Sequence, residues 1–168
     1  MDFYIQQLHD ALERATAGMS PEQLERPRGE KWSAAQILEH LLLTYKGTVK
    51  GMENCLAAGK PLATSATLKQ RLGAAVVIGL GHMPKGRQAP ERSQPRGLPA
   101  KEVVPQIWVN LELMDDAIAR CERQFGPRVK IVDHPILGPL SAQGWRKFHW
   151  VHGSHHARQI ENIRRSTE

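Results

Sequence analysis

Apolar positions along this 168-residue chain recur mostly at three- and four-residue spacing, the period of helices that bury one face. Tyr4, Ile5, Leu8, Ala11, Leu12 and Ala15 form such a stripe and predict a first helix from Asp2 to about Gly18. Ser20 and Pro21 suit the N-cap and first position of one short turn, which Arg26-Pro27-Arg28-Gly29 ends. A long helix should open at Ser33 and run to about Ala58. Ser33 and Gln36 have the spacing of a capping box, and Trp32 and Ile37 that of a hydrophobic staple. After Gly59 and Pro61, the stripe Leu68, Leu72, Val76 and Leu80 predicts a helix from Thr67 to about Leu80, which Gly73 and Gly79 weaken. Pro84, Gly86, Pro90, Pro95, Gly97 and Pro99 make residues 82–100 a long loop, of the kind that serves as a lid, a binding loop or an interface arm.

A further helix should start between Lys101 and Pro105 and end at Phe125, with Val104, Ile107, Trp108, Leu111, Met114, Ile118 and Cys121 on its apolar face. Residues 131–140 read as an ordered connection. Ser141 can cap a last helix that no Pro interrupts as far as Glu168. No internal repeat, low-complexity tract or strand alternation stands out. The expected architecture is all-α: one domain over residues 1–168, a helical bundle of four main helices and a lesser one, with a long Gly/Pro-rich loop.

Composition changes this picture little. No apolar run reaches the ~20 residues of a membrane span, and the first residues lack the basic and apolar regions of a signal peptide. Cys55 and Cys121 fall inside predicted helices and read as reduced core residues, which favours a cytoplasmic location. The net charge of +6 raises nucleic-acid binding. The positives are spread, however: Lys85, Arg87, Arg92, Arg96 and Lys101 in or beside the loop, and Arg146, Lys147, Arg158, Arg164 and Arg165 on the last helix. With no interleaved aromatics in the loop and no nucleic-acid module, solvated charge is the better reading, and neither nucleic acid nor a membrane is an expected partner.

Histidine placement is the strongest chemical signal. Four of the eight histidines lie between His149 and His156. At ~100° per residue, Trp145, His152, His156 and Ile163 fall within about 20° of one line, the middle of the buried stripe. The i, i+4 pair His152 and His156 can present two imidazoles to one metal ion. Any one buried histidine is more simply a hydrogen-bonded core residue. Two adjacent desolvated imidazoles repel each other once protonated, and a metal ion relieves that conflict. His40, on the core-facing side of the long helix, is the preferred third ligand. His149, about 40° off the stripe, offers a competing triad from one helix, which closes a tetrahedron poorly. His155, about 80° off, reads as outer shell or surface, and His134 as a residue of the pocket rim. Gln36 shares the face of His40, and Gln159 follows His156 closely enough to orient a ligand. Trp150 and Val151 lie about 140° and 120° from the buried line, which predicts a second covering element: the long loop or another subunit, hence a homodimer.

The pattern Trp32-Ser33-x-x-Gln36-Ile37-Leu-Glu-His40-Leu, followed by His152-x-x-His155-His156-x-Arg-Gln159, resembles the DinB-like (DinB/YfiT) superfamily of metalloenzymes. His134-Pro-Ile-Leu-Gly138-Pro-Leu-Ser141-x-x-x-Trp145-x-x-Phe148 looks like its subgroup of uncharacterised DinB-like domains. The resemblance implies a four-helix bundle holding a divalent metal through His40, His152 and His156. Some members look like thiol S-transferases that use a low-molecular-weight thiol, and others are similar to hydrolases or isomerases. The basic, Gly/Pro-rich segment 67–100 departs from the simplest members. The functional expectation is a metal-dependent enzyme acting on a small molecule, with zinc, nickel or iron at an open site. The alternative is a non-catalytic metal-binding bundle with a stress or interaction role.

Overall fold

The structure, a computed structural model, describes residues 1–84 and 88–166. Lys85, Gly86 and Arg87 of the expected loop, and Thr167 and Glu168 at the expected end of the last helix, lie outside the described residues. The elements in order are α1 (Phe3–Thr16), α2 (Pro21–Glu25), α3 (Ala34–Ala58), α4 (Leu68–Ala74), α5 (Ala100–Phe125), β1 (Val132–His134), β2 (Gly138–Leu140) and α6 (Ala142–Arg165). The chain is mostly helical, as its periodicity predicts. The antiparallel pair β1–β2, with Val132 opposite Leu140 and His134 opposite Gly138, was not expected. Its strands are three residues long and one contains Pro139, so alternation has no length in which to register.

Local chemistry sets the helix starts. Ser20 with Gln23, and Ser33 with Gln36, form reciprocal capping boxes, and Ser141 Oγ accepts from the Gly144 amide at 3.3 Å. The Glu25 carboxylate accepts from the Ala100 amide at 2.6 Å, which satisfies one of the exposed N–H groups that open α5. Pro105 lies in the second turn of α5, where it has no N–H to donate to the Lys101 carbonyl.

Helix α3 packs against α5, and α1 against α6. The α1–α6 contact corrects the expectation for Trp150 and Val151. Val151 is buried, and the Trp150 ring lies 5.6 Å from that of Tyr4 on α1, so this chain's own first helix covers the face. Close approach there depends on Gly153: a Cβ at that position would stand 2.1 Å from Leu8 Cδ1. Arg146, expected among solvated positives, is instead buried. It pairs with Glu122 at 2.7 Å and lies 3.7 and 3.8 Å from Asp2 and Asp115.

A second correction concerns α4, which continues into a π turn at Ala75–Gly79. The predicted stripe does not face the core: Leu68, Leu72 and Leu80 are 74%, 62% and 79% exposed. The segment buries Val77 instead, and the backbone of Gly73 comes close to Leu137 of the β1–β2 turn. Helix α4 meets the hairpin most tightly through Gln70, whose side chain would stand 3.0 Å from a Cβ at Gly138.

Candidate metal centre

His40 projects from the second turn of α3, and His152 and His156 from successive turns of α6. All three are buried. His152 Nε2 lies 3.1 Å from His40 Nε2 and 3.1 Å from His156 Nε2, and one ring nitrogen from each residue falls within 4.8 Å of the other two. Tetrahedral ligands about 2.0–2.1 Å from a zinc ion are roughly 3.3 Å apart, so the set needs little rearrangement to hold one ion.

The outer nitrogens decide which face of each ring looks inward. His40 Nδ1–H donates to the Ser93 carbonyl at 2.7 Å, and His156 Nδ1–H donates to Gln159 Oε1 at 2.7 Å. Both Nε2 atoms are then bare lone pairs, the state a metal ligand requires. His152 Nδ1 is buried and has no hydrogen-bond partner among the described residues. Burial holds the three rings neutral: it lowers the pKa of His40, lowers that of His156 to about 3, and lowers that of His152 well below 6.5. The neighbouring imidazoles add repulsion at His152 and His156. A neutral, desolvated trio of nitrogen lone pairs fits a borderline-soft cation.

Glu39, the residue before His40, has a part the sequence hid. Its carboxylate is fully buried and accepts from the backbone amides of Arg96, Gly97 and Leu98 at 2.8, 2.9 and 3.0 Å. Gly97 adopts φ +86, a left-handed conformation that lets successive N–H groups converge on one anion. The strap from Gln88 to Pro99 is thereby clasped to α3, and it carries the 3₁₀ turn Glu91–Ser93 whose last carbonyl holds His40.

The other expected site residues divide. Gln159 and His155 line the cleft above the three histidines, and the Gln159 amide donates to His155 Nε2 at 3.3 Å. His134 also lines it, where its Nδ1 accepts from the amides of Ile136 and Leu137, both at 3.1 Å. Burial, reinforced by the nearby Arg92 charge, lowers the His134 pKa to about 4. Gln36 does not join the site, because its side chain is committed to the Ser33 cap at 3.0 Å. His149 does not join the trio either. It is wholly buried and bonded to the Thr48 hydroxyl at 3.0 Å, so the single-helix triad is not formed. Arg92, one of the loop positives read from the sequence as solvated charge, lines the cleft.

The fold and site describe a mostly helical protein with a buried three-histidine cluster beneath an open cleft. Residues 1–163 match the family described as a protein of unknown function (DUF1569), and the chain belongs to that family. No curated protein and no solved structure matches it. Among the described residues, no helix is long and apolar enough to cross a membrane.

Proposed function

We propose that this chain is a DinB-like four-helix bundle, formed by α1, α3, α5 and α6, that binds one divalent metal ion and acts as a metal-dependent enzyme on a small molecule. The supporting observation is the convergence of three Nε2 atoms, with the His40 and His156 rings turned inward by Ser93 and Gln159. His40, His152 and His156 would hold the ion, and zinc, nickel or iron suits three imidazoles. The bound ion would supply Lewis acidity and lower the pKa of water or a thiol at its open position. Gln159 orients His156, and the strap orients His40. A thiol nucleophile would come from a low-molecular-weight co-substrate: Cys55 and Cys121 are buried, and burial pushes the Cys121 thiol up to about 11. The enzymatic reading is favoured over a non-catalytic metal-binding bundle with a stress or interaction role by the cleft of 1920 Å³ that the three histidines line.

Elemental analysis of untagged protein tests the reading. About one ion per chain is expected. His40→Ala, His152→Ala and His156→Ala should each weaken binding by orders of magnitude, and His149→Ala should weaken it little. Undiminished metal in the His152→Ala/His156→Ala double variant would refute it.

A further inference from the structure

The cleft has a chemical character of its own. One wall is the outward side of α4 and its π turn, where Leu68, Leu72 and Val76 line the cavity. Leu68 and Leu72 are among the most exposed large apolar residues of the protein. The apolar lining continues over Val132, Ile136 and Leu137 of the hairpin, and Trp32 and Phe148 lie against the rings of His40 and His152. Exposed leucines gathered on the wall of a concave site, rather than scattered, mark an apolar ligand.

The rim carries a sign. Arg28, Lys31, Lys46, Lys50, Lys69 and Arg92 line the cleft, against the two carboxylates of Glu30 and Asp133. Among the described residues, none of the six cations is in an ion pair. Asp133 is also occupied, accepting from the amide and the hydroxyl of Thr64. A cleft lined in this way attracts an anion and disfavours a cation of the same shape.

We infer that the cleft binds an acidic amphiphile, a small molecule with an aliphatic body laid along Leu68 and Leu72 and a carboxylate or comparable anionic group held by the rim. The inference rests on the metal-centre reading only in taking this molecule to be what the centre acts upon; the binding itself needs no ion. The body fills the leucine wall, and the rim cations set the orientation. Positively charged amphiphiles meet the same wall but the wrong field.

Trp32 and Trp145 line the cavity and report on occupancy. The experiment is a titration of the full chain with decanoate below its micelle concentration, followed by tryptophan fluorescence, with decyltrimethylammonium and acetate as comparison probes. Decanoate is expected to bind saturably and at least ten-fold more tightly than either. Leu68→Ser/Leu72→Ser should weaken decanoate at least ten-fold with an unchanged Tm, since both side chains are exposed, and Lys69→Glu/Arg92→Glu should narrow the preference over the cation. Equal or tighter binding of decyltrimethylammonium, or wild-type decanoate binding by the leucine variant, would overturn the inference. Metal content measured on the same samples keeps the two readings apart. Full metal without decanoate binding removes the ligand inference alone, and decanoate binding without any metal removes the metal reading alone.

Discussion

Glu39→Ala is the perturbation that best separates a positioned centre from a merely buried one. Three backbone amides, those of Arg96, Gly97 and Leu98, converge on this carboxylate. Hydrogen bonds to a charged group contribute about 1.5–3 kcal/mol each, and a buried donor left unpaired costs about 1–3 kcal/mol. With three donors stranded at once, the strap would be several kcal/mol too high in energy to stay closed, and it should open to water instead. Ser93 then withdraws from His40 Nδ1. Loss of such an outer partner lowers metal affinity 10–100-fold. The assay is the zinc Kd from competition with a chelating dye, paired with thermal unfolding. Met114→Ala serves as the control, because it opens a cavity on α5, which carries none of the three histidines. The expected outcome is a Kd raised 10–100-fold in Glu39→Ala and little changed in the control at comparable loss of Tm. The reasoning fails if Glu39→Ala keeps the wild-type Kd, or if both variants lose affinity in proportion to their lost stability.

Two further expectations concern stability. Gly153→Ala should cost about 1–3 kcal/mol by overpacking against Leu8. A second substitution, Leu8→Ala, should recover little or none of the overall stability but should reduce the penalty of the alanine at 153, and urea unfolding of the four forms measures that coupling; strict additivity would refute the clash. The metal-free protein should weaken in acid, because burial lowers the pKa of His134 to about 4 and of His149 to about 3 from an ordinary 6.5. The unfolded chain takes up these protons first, so the stability present above pH 6.5 is lost as pH falls towards the folded values, by about 2 kcal/mol per histidine at pH 5. A urea midpoint that stays flat from pH 7 to about pH 4.5 would contradict that assignment.

The features legible in the sequence are those decided within one helical turn or two. The Ser20 and Ser33 caps follow from side chains three residues apart, and the inward pairing of His152 with His156 from spacing along one helix. What escaped depends on residues distant in sequence. Glu39 reads as a solvated helix glutamate until the amides of Arg96, Gly97 and Leu98, more than fifty positions on, are brought to it. The Leu68–Leu80 stripe carries the right period, but period alone does not say which face docks, and here Val77 is buried while the leucines stay exposed. Trp150 looked unpartnered because nothing in α6 itself announces that α1 lies over it.

His40 and His152 touch although 112 residues separate them. Before α6 docks, the chain can offer an ion only the two neighbouring imidazoles of that helix. Closing a loop of such span is opposed by chain entropy, and contacts of long range tend to form late. Ligands completed after the rate-limiting barrier leave the folding rate almost untouched and slow the unfolding rate. Loaded with metal, the protein would assemble no faster than without it, yet its native state would last far longer once made.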